Sequence, residues 1–142
     1  MKLQLIKGAL ALFLLQICPL SIGQTVTQQL TSEEIANRVA YVHGSDFVMT
    51  NPTLVTALGN VMTNRIEYGI SPQMENEKYP LLSSFPLMAK ANPTIQGADF
   101  ANFNLSTFNP LVYNLEFFSD KIQVIRIDNT NYIMVVKPIV RS

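Results

Sequence analysis

Tryptophan is absent from this chain of 142 residues, histidine and cysteine occur once each, and charged side chains make up only 14% of it. With Cys18 as the sole thiol, no intrachain disulfide and no thiolate zinc cluster can form. His43 as the sole imidazole leaves carboxylates and amides as the other metal ligands, so no zinc, haem or other cofactor is expected. Ten basic and ten acidic residues balance. Such a chain carries no basic footprint for nucleic acid and no polybasic patch for anionic lipid. Also missing are a Gly-x-Ser-x-Gly elbow, a Ser-x-x-Lys pair, a Walker loop and a dinucleotide fingerprint, which removes the usual starting points for serine hydrolases and nucleotide enzymes.

What is present begins with an address. Lys2 and Lys7 precede an unbroken apolar run from Ala9 to Leu15, Pro19 breaks it, and Ser21 and Gly23 are small where a signal peptidase reads. Residues 1–23 are therefore expected to be a cleaved export signal. A spanning helix needs about 20 apolar residues, and Gln16 and Pro19 interrupt this run well short of that. The rival is a lipoprotein acylated on Cys18, but bulky Ile17 stands where a small residue is needed. Cleavage after Gly23 makes the mature chain free of cysteine, with Gln24 at its start and open to cyclisation to pyroglutamate. Small extracellular domains of eukaryotes rely on disulfides, so the expectation is a bacterial envelope or secreted protein, periplasmic or released.

The remainder, 142 − 23 = 119 residues, fits one domain, 24–142. Gln24 to Leu30 is polar and reads as a flexible lead-in. A first helix over residues 32–43 follows from a capping box, Thr31 with Glu34, an apolar stripe at Ile35, Val39 and Val42, and Gly44 as its stop. A second, after a short link, starts at Asn51-Pro52, carries Leu54, Val55, Leu58, Val61, Met62 and Ile66 on its stripe, and stops at Gly69. Gly59 inside it marks either a close approach or a tolerated cost of about 1 kcal/mol.

From Ile70 to Pro110 the chain holds Pro72, Pro80, Pro86, Pro93 and Pro110, which rule out long regular elements. A short helix near Phe85 to Lys90, capped by Ser84, and turns at Asn92-Pro93 and Asn109-Pro110 are expected within it. The last third is rich in Val, Ile, Tyr and Phe. Strands at Leu111–Phe118, Ile122–Asp128 and Tyr132–Lys137, joined by short turns, make a three-stranded antiparallel meander. The fold class is α+β: two amphipathic helices, a Pro-rich irregular segment and this sheet. Tyr132 to Val136 is apolar on both faces, which puts that strand inside the sheet with Ile133 and Val135 on one face and Met134 and Val136 on the other.

Candidate chemistry is sparse. His43, with Gly44, Ser45 and Asp46, spells catalytic residue types in a row, but sequence neighbours cannot form a triad, and a place in the last helical turn beside the helix dipole accounts for it. Glu75 and Glu77 are the densest acidic pair; they lack the spacing for a glycosidase or a calcium loop and read as solvated. Asp128 to Asn131 reads as a hairpin turn. Phe100, Phe103 and Phe108, interleaved with Asn102 and Asn104, form the candidate contact site, because rings beside amides stack on and hydrogen-bond to sugars and peptides. Asn104-Leu105-Ser106 is an N-glycosylation acceptor in a eukaryotic host. The expected function is a small exported, non-enzymatic binding or interaction protein with a protein or glycan partner. The alternatives are a hydrolase using Glu75, Glu77 or Asp99, and a structural subunit joined through its sheet edge.

Overall fold

The computed structural model describes residues 25–71 and 78–141. The leader, residues 1–23, and the Glu75 and Glu77 pair lie outside the described residues. Helix α1 spans Ser32–His43 and has its capping box: Thr31 Oγ1 accepts from the Glu34 N–H at 3.2 Å, and the Glu34 carboxylate accepts from the Thr31 N–H at 2.7 Å. Those bonds favour the charged carboxylate and hold its pKa below the usual value. Val39 and Val42 are fully buried. Gly44, at φ 93°, takes a backbone angle that other residues rarely adopt and sends its N–H back to Ala40 O, which closes the helix and turns the chain.

The link that follows is itself helical. Helix α2, Ser45–Thr50, ends with Thr50 Oγ1 bonded to Asp46 O and Asn51 Nδ2 bonded to Phe47 O, so local polar side chains satisfy its last carbonyls. Helix α3, Pro52–Asn60, opens on Pro52 as expected and runs into one widened turn, Val61–Arg65, where the Ile66 N–H reaches back five residues to Val61 O. Gly59 marks a close approach, because a Cβ there would lie 3.0 Å from Ile35 Cγ2 on α1.

Ile66 is where the expected second helix fails. Ile66–Ile70 is strand β1, and Gly69 lies within it rather than stopping a helix. The alternation of buried Ile66 and Tyr68 with half-buried Glu67 has the period of a strand, and pairing with the end of the chain decides the outcome. Strand β2 is Gln123–Arg126 and β3 is Tyr132–Val136. The sheet is three-stranded and antiparallel, in the order β1-β3-β2, with Tyr68 and Ile125 both opposite Met134. The α+β class therefore stands. As its two-faced apolarity required, β3 is central, and Ile133, Met134, Val135 and Val136 are all buried. Asn129, at φ 57°, makes the hairpin turn.

The third strand comes from Ile66–Ile70 and not from Leu111–Phe118. That apolar run opens with a 3₁₀ turn, Pro110–Val112, and then folds on itself, the Leu115 N–H bonding Tyr113 O and the Phe117 N–H bonding Leu115 O. Buried Tyr113, Leu115 and Phe117 do alternate with exposed Asn114, Glu116 and Phe118, but these local bonds take the Leu115 and Phe117 N–H groups, and pairing stops at a single bridge between Tyr113 and Leu87. The helix expected near Phe85 to Lys90 is also absent. Pro86 forces Phe85 into extended backbone, φ −88° and ψ 140°, so the one helical turn there is Leu82–Ser84, on the amino-terminal side.

The lead-in is not flexible. Val26 and Tyr68 exchange two backbone hydrogen bonds of 2.8 Å, adding a rung to the outer edge of β1, and the Gln28 side chain is buried. Among the described residues no helix is long and apolar enough to cross a membrane.

Candidate functional site

The candidate site is a cleft of about 200 Å³ between the end of α1 and the coil of residues 96–109. Its walls carry Tyr41 from α1, then Gln96, Gly97 and Asp99, then Asn102, Phe103, Asn104 and Thr107, with Phe108 and Val112 at the base. Side-chain contacts at both ends hold the coil. Tyr41 O accepts from Asn92 Nδ2 at 2.8 Å, Tyr41 Oη accepts from the Gln96 N–H at 3.4 Å, and Tyr113 Oη accepts from the Ala98 N–H at 3.0 Å. Gly97 is required by that last contact, since a Cβ there would stand 2.9 Å from Tyr113 Oη.

The far end is anchored by Arg38. Its guanidinium donates to Ser106 O at 2.9 Å, to Gln28 Oε1 at 3.1 Å and to Phe108 O, while Arg38 O accepts from Asn109 Nδ2 at 3.1 Å. Gln28 Nε2 adds bonds of 2.7 Å to Leu105 O and 2.8 Å to Phe108 O. Helix, lead-in and coil thus share one polar junction, in which Arg38 is half-buried against oxygen acceptors rather than a carboxylate. Neither Arg38 nor Gln28 stands out as a site residue from composition. The signal for Arg38 is its position on α1, i+3 from Ile35 and beside Val39, which puts a charge on the apolar stripe.

The candidate contact residues separate by depth. Phe103 is half-buried and lines the cleft, 5.2 Å from Phe108 and 5.8 Å from Tyr132 between ring centres. Phe108 is 5% exposed and belongs to the core, packed edge-on to Tyr68. Phe100 is half-buried against that core and is no part of the cleft wall. Asn102 and Asn104 are exposed on the rim. Tyr41 and Gln96 went unnoticed in sequence, because they meet this stretch only in three dimensions.

Hydrogen bonding leaves particular atoms open. Asp99 accepts from the Ala101 and Asn102 N–H groups on one oxygen and from Asn102 Nδ2 on the other, and these bonds, the Asn102 amide first, hold its pKa low. A carboxylate so engaged stays ionised and is a poor proton donor. Asn104 Oδ1 accepts from the Ser106 N–H and Oγ, which leaves its Nδ2 open. Asn102 Oδ1 and the Gln96 amide have no partner among the described residues. The cleft therefore offers mixed neutral donors and acceptors beside the rings of Tyr41 and Phe103.

Other concavities carry less chemistry. A groove of about 430 Å³ at the β2–β3 turn has no ring in its wall, and in one of about 510 Å³ beside Leu54 and Phe118 the Asn51 amide bonds back to its own chain. His43 stacks on Phe47 at 4.5 Å, and burial lowers its pKa. The Tyr68 phenol is buried without a hydrogen-bond partner among the described residues, and desolvation pushes its pKa far up. No group of three or more His, Cys, Asp or Glu among the described residues is placed to hold a metal ion.

No family model, curated protein or solved structure matches this chain.

Proposed function

We propose that this chain is a small exported, non-enzymatic binding protein of the bacterial envelope or extracellular space, acting through the cleft between α1 and residues 96–109. The observation that supports it most is a fixed wall with open polar atoms. The coil is tied at Tyr41, Tyr113, Arg38 and Gln28, while Asn102 Oδ1, Asn104 Nδ2 and the Gln96 amide face solvent unengaged. Holding such groups in place before binding reduces the ordering cost of a complex. The partner is a protein or a glycan. Export is supported by Lys2, Lys7, the Ala9 to Leu15 run and the small residues Ser21 and Gly23.

Two alternatives have weaker support. As a hydrolase acid Asp99 is poorly suited, since both oxygens are engaged and its pKa is held low. For a subunit joined by its sheet edge, Val26 already occupies part of the β1 edge and Leu81 part of the β2 edge.

Photo-crosslinking tests the proposal. A benzophenone side chain at Gln96 should capture a partner from a native extract, while one at Val140, 91% exposed on the tail, should not. Equal capture from both positions, or none from Gln96, would count against the cleft. Intact mass of exported material should begin at Gln24 without lipid; an acylated species retaining Cys18 means tethering to a membrane.

A further inference from the structure

We infer that the ligand of this cleft is a single uncharged sugar ring, seated against Tyr41 and Phe103; the inference rests on the binding role proposed above. Charge decides the first step. Asp99 is the one ionisable acid in the wall, and both its oxygens are engaged by Ala101 and Asn102. Arg38, the nearest guanidinium on the junction, gives its donors to Gln28, Ser106 and Phe108 oxygens. The net charge facing the cleft is therefore the Asp99 carboxylate, which repels an anion, while the Ala101 and Asn102 donors already fill three of its acceptor positions and leave little for a cation to bind directly.

Neutral polar ligands divide into peptides and polyols, and the backbone separates them. An extended peptide needs a row of open N–H and C=O groups to pair with. Here the Gln96 and Ala98 N–H groups are taken by the Tyr41 and Tyr113 hydroxyls. What stays open is a set of side-chain amides, a donor on Asn104, an acceptor on Asn102 and both on Gln96. Hydroxyls match that set, because each both donates and accepts. The flat C–H face of a pyranose suits the exposed ring of Tyr41, 48% accessible, whose π face is electron-rich. Size agrees: about 200 Å³ lies below the roughly 300–1,000 Å³ of pockets for drug-sized ligands and holds one ring.

Amide chemical shifts of the ¹⁵N-labelled mature protein test this, with glucose, galactose and N-acetylglucosamine as neutral probes. Glucose 6-phosphate, glucosamine and an N-acetyl dipeptide amide serve as comparisons. At least one neutral sugar should give saturable shifts at Ala98, Asn102 and Thr107, with Kd on the order of 1 mM for a ligand of this size. Tyr41→Ala should weaken that binding about threefold to tenfold, while Tyr41→Phe, which keeps the ring and loses only the 3.4 Å contact to the Gln96 N–H, should retain most of it. If the dipeptide saturates the same amides more tightly, the sugar assignment falls while the cleft remains a binding site. If no neutral sugar saturates them at about 100 mM, about a hundredfold above the expected Kd, the assignment is overturned, and crosslinking at Gln96 then decides the binding role separately.

Discussion

Replacing Arg38 should loosen the cleft and the fold together. Its guanidinium meets Gln28 Oε1, Ser106 O and Phe108 O, and truncation leaves those acceptors facing a void. A hydrogen bond to a charged group contributes about 1.5–3 kcal/mol. Ser106 is exposed and regains water, so the Phe108 and Gln28 oxygens dominate the loss. Against this stands about 2 kcal/mol of side-chain entropy released by removing arginine. The net cost of Arg38→Ala is then about 1–4 kcal/mol, within a total stability of only about 5–15 kcal/mol. At about 4 °C per kcal/mol for a domain of this size, that is a fall in melting temperature of roughly 4–16 °C. Arg38→Met keeps the alkyl stem and isolates the polar loss from packing. A double-mutant cycle with Gln28→Ala should return a coupling of about 0.5–3 kcal/mol, since the two side chains share the Phe108 carbonyl. Calorimetry and urea unfolding measure these values. An Arg38→Met protein melting within about 2 °C of the parent refutes the junction as the anchor of the coil.

Removing residues 24–30 should be costly rather than neutral, because the two Val26–Tyr68 bonds and the buried Gln28 amide go with it; a loss of about 2–4 kcal/mol in urea unfolding is expected, and an unchanged midpoint contradicts it. Deleting everything from Asn131 removes the central strand, with Ile133, Met134 and Val136 each contributing about 1.5–3 kcal/mol, so the product should show no cooperative melt. His43 has a folded pKa depressed by burial, so the unfolded chain takes up the proton first as pH falls; stability from this group is complete above about pH 6.5 and declines below it. His43→Gln should flatten that part of the stability profile, and an NMR titration placing the His43 pKa above about 6.5 reverses the sign. Gly97→Ala should perturb Tyr113 and the Ala98 amide without unfolding the protein, visible as local chemical-shift changes, whereas an unaltered Tyr113 environment contradicts the close approach.

Legibility in the sequence follows the range of the interactions. Thr31 and Glu34 stand three residues apart and their bonds form within one turn, so the start of α1 was readable, as was its end at Gly44. Pro52 carries its own backbone restriction, and α3 begins there. The central place of β3 was readable from Tyr132 to Val136, because a strand apolar on both faces has to be covered on both. The Phe103, Asn102 and Asn104 part of the cleft was readable as composition only.

What the tertiary structure decided are choices between locally equal options. Ile66 to Ile70 suits a helix stripe or a strand, and pairing with Val136 to Tyr132, at the far end of the chain, selects the strand. Leu111 to Phe118 looks more like a strand and keeps the alternating burial of one, yet local turns take its N–H groups and limit its pairing to a single bridge with Leu87. Gln28 is a surface residue by type, and it is buried because Leu105 and Phe108, 77 and 80 residues away, present carbonyls that need a donor. Tyr41 joins the cleft for the same reason, through Asn92 and Gln96. Caps and burial patterns are satisfied by neighbours a few residues apart and so are written in the sequence. Strand partners and unmatched carbonyls are satisfied across the fold, and only the folded chain says by whom.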